Sequence, residues 1–314
     1  MNILVTGGAG FIGSALARRL VDAGHTVVVI DNFNDYYDVQ LKRDRVRTFL
    51  DGIEVIEDDV LDASRMDELF SSRQFEVVCH FAGNAGLRYS IDHPLEHIDG
   101  NVKATTLLYE LMKRHVVNRM VFASTSSVYG NTTTAPFTED VAADRPVSIY
   151  GASKRACELI GHSYHELWGI ESTFLRFFTV FGPWTRPDMA LLKFALKMKA
   201  GEPIEIYNHG DLRRDFTHID DIVNGFVLAV EQPLGYEIVN LGRGEATELM
   251  TYIEALESAL GIKATKELKE MQPGDVYETY ADTSKARELL GFSASVPVPA
   301  GVQSFADWFL EYYA

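Results

Sequence analysis

Cysteine is scarce in this chain, with only Cys79 and Cys157 among 314 residues. Two thiols supply no disulfide framework, and their spacing suits no metal site. Cys79 falls in an apolar strand and Cys157 in a helix, so both are expected to be reduced packing residues. No run reaches the ~18 apolar residues that a membrane span requires, and the opening strand begins too early for a signal peptide. A soluble, cytoplasmic protein is therefore expected. Basic residues are also few, 29 against 45 acids, for a net charge of −16. That balance argues against nucleic acid and membrane surfaces as partners. It also means that an anionic ligand needs a local cluster of arginines. Internal repeats, low-complexity tracts and long linkers are all missing. With 46% hydrophobic residues, the chain suits one large α/β unit or two closely joined domains.

The first 31 residues are the most informative. Asn2 to Thr6 is a short apolar run that reads as a buried strand. Gly7, Gly10 and Gly13 follow at G-x-x-G-x-x-G spacing, and an apolar-periodic helix runs from about Phe11 to Ala23. Thr26 to Ile30 is a second buried strand that ends on Asp31. Strand, glycine turn, helix, strand and acid stand in the order that a dinucleotide-binding unit needs. Gly7 permits the tight turn, Gly10 lets backbone N–H groups approach a pyrophosphate, and Gly13 lets the helix lie close to the sheet. A carboxylate at Asp31 accepts both ribose hydroxyls of NAD and repels the 2′-phosphate of NADP. The expected cofactor is NAD.

The alternation continues. Helices are expected over Lys42 to Leu50, Ala63 to Phe70, Leu95 to Arg114 and Tyr150 to Trp168. Strands are expected over Ile53 to Ile56, Val77 to Phe81, Met120 to Ser124 and Thr173 to Phe178. This rhythm predicts a Rossmann-type, doubly wound parallel sheet with right-handed crossovers. Beyond Gly182 it becomes irregular. Helices are expected at Met189 to Lys199, Ile219 to Glu231, Glu248 to Leu260 and Val302 to Tyr312. Short strands at Ile204 to Tyr207, Tyr236 to Leu241 and Val276 to Ala281 lie between them. The expected division is a NAD-binding domain of residues 1–182, with 216–242 threading back into it. A smaller C-terminal α/β substrate lobe takes 183–215 and 243–314.

The strand over Met120 to Ser124 runs into Thr125-Ser126-Ser127, and Tyr150 and Lys154 follow on the next helix. Four residues apart, Tyr150 and Lys154 share one helix face. A phenol with a pKa near ~10 is a poor base at neutral pH, and a cation within ~4–6 Å favours the phenolate. Lys154 supplies one positive charge and the nicotinamide of NAD+ another. The hydroxyl of Thr125 could bond the same reacting oxygen. The set suits proton removal from an alcohol while a hydride leaves its carbon.

At this point the chain resembles the extended short-chain dehydrogenase/reductase family over essentially its whole length. Within it the closest resemblance is to the nucleotide-sugar 4-epimerases, specifically those of UDP-glucuronate. The likeness is carried by Asn34-Asp35-Tyr36-Tyr37-Asp38, by Asn84 to Ser90 (NAGLRYS) and by Arg186-Pro187-Asp188-Met189-Ala190. Tyr207-Asn208-His209-Gly210, Arg213 to Thr217 (RRDFT) and Gln272 to Val276 (QPGDV) carry it further. The resemblance implies that Tyr150, helped by Thr125, takes the C4 hydroxyl proton while bound NAD+ takes the hydride. The 4-keto sugar then turns over and receives the hydride on its opposite face. It also implies that Asn32, Asp59, Val60, Asn101, Tyr150 and Lys154 join the glycine turn, Phe11 and Ile12 in holding NAD. Phe81, Ala82 and Gly83, small residues after a strand end, leave room for the flat ligand. Arg214 matches an arginine placed on the diphosphate, and Tyr207 the position that packs on uracil. Arg186 lies in a loop that could close over the substrate, Arg88 could face the sugar, and Asp275 could accept a ribose hydroxyl. His209 reads as loop structure. Family members also commonly pair two long helices per subunit into a homodimer, here Leu95 to Arg114 and Tyr150 to Trp168.

Departures within the family narrow the substrate. Sugar 4,6-dehydratases resemble one another in carrying Asp-Glu where this chain has Ser126-Ser127, and the UDP-glucuronate decarboxylases carry Glu at the second position. Hydroxyls of Thr125, Ser126, Ser127 and Thr179 could instead hold a carboxylate near the sugar plane, where its carbon–carbon bond is poorly aligned to break. UDP-glucose epimerases usually have Asn at the position of Thr179 and Arg near that of Gln272. The expected activity is interconversion of UDP-glucuronate and UDP-galacturonate. A UDP-glucose/UDP-galactose 4-epimerase and a catalytically idle NAD-binding scaffold are the alternatives.

Overall fold

The computed structural model describes residues 1–131, 134–272 and 276–314. Seven strands make the central sheet. In chain order they are β1 (Asn2–Thr6), β2 (Thr26–Asp31), β3 (Glu54–Glu57), β4 (Val77–His80), β5 (Arg119–Thr125), β6 (Glu171–Phe177) and an outer strand, Tyr236–Leu241. Their spatial order is Tyr236–Leu241, β6, β5, β4, β1, β2, β3, and every neighbouring pair is parallel. Successive side chains leave opposite faces of a strand, and both faces here are covered, so the strands read as unbroken apolar runs. Ile3 and Val5 pack with Leu16 and Leu20 of the first helix and with Phe226. Leu4, between them, packs on the other side with Met66, Leu108 and Phe122. Burying Leu16 and Leu20 contributes about 1.5–3 kcal/mol each, and that anchors the helix Phe11–Asp22 directly behind the glycine turn.

Strand order reverses between β1 and β4, so a crevice opens at their carboxyl ends. Gly7 leaves β1 with φ +68°, and a Cβ on it would stand 2.6 Å from Ala82 N, just past the end of β4. A side chain is refused there twice, by the left-handed backbone and by the approach of a neighbouring main chain. Gly7→Ala should therefore cost about 1–3 kcal/mol from overpacking alone. A fall in melting temperature and loss of bound dinucleotide on purification are the expected readings. An alanine variant that keeps both would contradict this packing.

A second core lies around the helices Ala190–Lys199, Leu249–Leu260 and Val298–Tyr312, through Leu192, Ile253 and Phe305. Phe216 stacks on Tyr252 at 3.8 Å between ring centroids. The short strand Phe216–His218 pairs in parallel with Thr179–Phe181, which continues from β6 and threads the second half back against the first. Several elements differ from expectation, among them the short strands Phe216–His218 and Lys266–Leu268, which were not expected. The helix expected over Leu95 to Arg114 is Pro94–His97, a π-helical turn at Ile98–Lys103, and Ala104–His115. The strand expected over Val276 to Ala281 is only Glu278–Thr279, and the helix Ser284–Leu290 was not anticipated. Both cysteines are buried and free. Among the described residues no helix is long and apolar enough to cross a membrane.

Candidate active site

A cavity of about 450 Å³ runs along the carboxyl ends of β1, β2, β4 and β5. Gly7, Gly10, Phe11, Ile12 and Gly13 line it, with Asp31, Asn32, Asp59 and Val60 beyond them. Gly10 caps the helix Phe11–Asp22 without a side-chain bond, and no acid stands in the first turn. The helix N-terminus therefore keeps its unfilled N–H groups and partial positive charge facing the cavity. A Cβ on Gly13 would lie 2.5 Å from Gly7 O, so the turn closes this tightly only with glycine. The cradle fits a dinucleotide pyrophosphate.

Asp31 is buried, and its carboxylate accepts from Ala9 N at 3.0 Å and Phe33 N at 2.9 Å. Those bonds aim it into the cavity. Lys42 stands 4.0 Å from it, and its ammonium also donates to Asn34 O and Asn34 Oδ1 at 2.8 and 2.9 Å. Burial pulls Lys42 below the usual lysine range, and Asp31 opposes the shift.

At the other end Phe81, Ala82, Gly83, Tyr150 and Lys154 line the cavity. The helix Ile149–Trp168 begins at Ser148, whose side chain accepts from Gly151 N, so Tyr150 enters at its first turn. Asn101, in the π-helical turn, is buried behind the wall. Its amide donates to Asn84 O and Ser153 Oγ while its oxygen accepts from Asn84 N. A Cβ on Gly83 would meet that oxygen at 2.4 Å. The wider π turn thus sets Asn101 between two cavity walls, a common use of π-bulges. Lys154 donates to Ala123 O at 3.1 Å and lies over the Phe122 ring at 4.5 Å. Burial lowers its pKa, against the pull of Cys157 and Glu158. The Tyr150 phenol is pushed up by burial, against the influence of the neighbouring Thr125 hydroxyl and the charge of Arg186. One N–H of the Lys154 ammonium is held by the β5 carbonyl, which leaves two more donors on the same group.

Arg186 also lines the cavity and meets Asp188 through Nε at 2.9 Å and Nη2 at 2.8 Å. Burial alone would lower the guanidinium's pKa, but Asp188 outweighs it and holds the charge firmly in place. The Tyr36 hydroxyl donates to Asp188 Oδ2 at 3.2 Å, and burial together with Asp188 pushes its pKa up to about 12. The cofactor-side loop is thereby tied to the loop that carries Arg186. A phenol, a lysine and a guanidinium paired with a carboxylate thus stand together at one end of the dinucleotide cradle.

Residues 3–242 match the NAD dependent epimerase/dehydratase family. This chain belongs to that family. A probable UDP-glucuronate 4-epimerase of Rhizobium meliloti is 39% identical over 334 aligned positions, covering 100% of this chain and 98% of the relative. The UDP-glucuronic acid 4-epimerase of Bacillus cereus, solved with UDP-glucuronic acid and NAD, superposes with a TM-score of 0.93 at 34% identity and full coverage of both chains. The UDP-glucose 4-epimerase of Thermotoga maritima, solved with UDP-glucose, gives 0.92 at 29% identity, again with full coverage of both.

As a member of this NAD-dependent family the chain has one group of expected residues away from the cavity wall. Thr125 Oγ1 donates to Ser127 Oγ at 3.2 Å, and Ser126–Tyr129 is a 3-10 turn beyond the strand end. Thr179 lines a separate small cleft beside Thr185. Arg88 and Tyr207 do come together, the guanidinium 4.9 Å from the ring centroid. Arg214 lies in the strand Arg213–Arg214 and donates to Tyr277 O at 3.1 Å. His209 sits in the left-handed region and meets Glu270. Asp275 lies outside the described residues. Lys42, Tyr36 and Asp188 were not singled out by sequence reasoning. A signal existed for Lys42, since it shares a helix face with Arg45, three residues on.

Proposed function

We propose that this family member interconverts UDP-glucuronate and UDP-galacturonate by reversible oxidation at C4. The observation that carries the substrate class is Arg186, a guanidinium fixed in the cavity close enough to Tyr150 to act on its ionisation. Asp188 engages its Nε and Nη2, and Nη1 is the donor proposed for the carboxylate of the substrate. NAD, when bound, would supply the hydride acceptor and donor for C4. Gly7, Gly10 and Gly13 hold its pyrophosphate, with Phe11 and Ile12 at the helix start. Asp31 and Asn32 hold its ribose, Asp59 and Val60 flank the adenine, and Phe81 to Gly83 make room for the ring. Asn101 braces Gly83.

In this proposal Tyr150 takes the C4 hydroxyl proton and later gives it back. Thr125 bonds the same oxygen, and Lys154, on the same helix face, supports the charge. Arg186 pairs with the sugar carboxylate, with Ser126, Ser127 and Thr179 on its other side. Arg214 takes the diphosphate, Tyr207 and Arg88 the uracil and sugar side, and Asp275 a ribose hydroxyl. Ser126 and Ser127 offer no carboxyl group for elimination, which favours return of the intermediate over loss of water or CO2. Initial rates on UDP-glucuronate and UDP-glucose test the reading. The uronate should be preferred by at least about 10-fold, the worth of one charge-assisted hydrogen bond. Equal or reversed rates would make the neutral hexose the substrate.

Thr125 gives a second test. Its hydroxyl acts to lower the Tyr150 pKa, so Thr125→Ala should raise it further. Less phenolate then exists at any given pH, and the rise of kcat with pH should move to higher values. Activity lost near neutrality should partly return in alkaline buffer, and an unmoved pH profile would remove Thr125 from this role. We further propose the division into residues 1–182 with 216–242 and 183–215 with 243–314, and a cytoplasmic location. A homodimer through the helices Pro94–His115 and Ile149–Trp168 belongs to the same proposal. Exposed Leu95, Ile98 and Leu159 on these helices support it, and light scattering on the purified protein tests it.

A further inference from the structure

Arg45 is the most deeply buried arginine beside the cavity, with 0% of its surface exposed. Among the described residues it has no carboxylate partner. Its hydrogen bonds all go to neutral oxygens, and Asp31 acts on its charge only through space. Nε and Nη2 donate to Trp184 O at 3.1 and 2.8 Å, and Nη2 also reaches Thr185 O at 3.4 Å. Nη1 donates to Tyr37 Oη at 2.6 Å and to Ala9 O at 3.4 Å. Ala9 belongs to the glycine turn and bonds Asp31 through its N–H. Tyr37 belongs to the loop beyond Asp31, and Thr185 immediately precedes Arg186. One guanidinium therefore gathers three segments that line one cavity.

Removing a cation from water without a counter-ion is costly, and simple packing does not need it. Trp184 shows what the arrangement maintains. Its φ is +64°, a conformation that a bulky residue adopts only when its surroundings impose it. The Thr185 hydroxyl is buried without a partner, so the side chain next to Arg186 does not fix the loop. The Trp184 ring packs on Phe49, Trp308 and Tyr312, and the backbone of the turn is held through the two carbonyls bonded to Arg45. Only a planar fork reaches both of them and a third segment together; an ammonium cannot.

We propose that Arg45 is a positioning residue. By clamping Trp184 and Thr185 against the cofactor turn, it sets Arg186 for the carboxylate of the substrate. The inference rests on the uronate reading given above. The test compares wild type, Arg45→Lys, Arg45→Met and Arg186→Gln, each as the NAD-loaded protein. Calorimetric affinities for UDP-glucuronate and UDP-glucose are measured beside kcat and KM. Both Arg45 variants should lower the preference for the uronate by about 10-fold, mostly in KM, matching the loss of an aligned charge-assisted bond. Arg45→Lys should fail like Arg45→Met although it keeps the charge and is the variant better able to fold. Combined with Arg186→Gln, either change should cost no further preference, because both act through one group. Equal weakening of both ligands, or losses that add to that of Arg186→Gln, would reduce Arg45 to a structural residue and overturn the proposal. If wild type itself shows no preference for the uronate, the functional reading fails first. The clamp is then overturned as a specificity device.

Discussion

Tyr150→Phe is expected to lower kcat by about 10²–10⁴-fold, the usual worth of a positioned general acid–base group, while the protein retains its NAD. The two halves of this expectation rest on different contacts. The hydroxyl is the atom that meets Thr125 and feels Arg186, and it is the only atom removed. The ring stays, perpendicular to His97 with centroids 6.1 Å apart, so the helix start is undisturbed. In the proposed site dinucleotide binding rests on the glycine turn, the open helix N-terminus and Asp31, and the Tyr150 hydroxyl is bonded to none of these. Turnover and bound NAD should be measured on one preparation. A phenylalanine variant within about 10-fold of wild type would show that another group carries the proton. A variant that loses turnover and NAD together would show that Tyr150 is part of the cofactor grip.

Arg186→Gln is expected to separate the two sugar classes. A hydrogen bond to a charged group contributes about 1.5–3 kcal/mol, so kcat/KM for UDP-glucuronate should fall roughly 10- to 100-fold by that figure. UDP-glucose lacks the carboxylate and should be affected much less. The variant has a complication that can itself be tested. Arg186 now neutralises Asp188, whose carboxyl pKa it keeps down against burial. Without the arginine, Asp188 keeps only the Tyr36 hydroxyl and becomes a bare anion at the mouth of the site. It would then repel an incoming uronate. Adding Asp188→Asn should therefore recover part of the uronate rate, which a double-mutant cycle resolves. An equal loss on both sugars would assign Arg186 to the nucleotide portion that they share.

The readable parts of the fold were those set by neighbours in sequence. β1, the glycine turn, its helix and Asp31 lie within one local unit, and the turn admits no residue but glycine at Gly7 and Gly13. Tyr150 and Lys154 were legible as a pair by helical spacing, but the direction of the lysine was not. Its bond to Ala123 O depends on how closely the helix packs on β5, which no periodicity encodes. The π turn at Asn101 was hidden for a similar reason. One extra residue within a helix leaves its apolar pattern nearly intact. Ser284–Leu290 was missed because so short a helix buries little, chiefly Ala286 and Leu290. Lys42 and Arg45 were passed over because cations on the inner face of a helix run against its amphipathic pattern. That contradiction is the signal, and buried charges of this kind belong to sites. Contacts such as Arg88 on Tyr207 or Tyr36 on Asp188 join distant segments and could be seen only once the fold had placed them.

The central claim is transfer of the C4 hydrogen away from the sugar and back within one active site. It is tested most directly by UDP-glucuronate deuterated at C4, incubated with the protein as purified and with no added NAD, and followed by proton NMR. The account predicts growth of UDP-galacturonate to a fixed ratio with deuterium retained at C4. Loss of the label to solvent would contradict hydride return by a held cofactor. A UDP-pentose product would contradict the role given to Ser126 and Ser127, and no conversion even with NAD supplied would contradict the epimerase assignment itself.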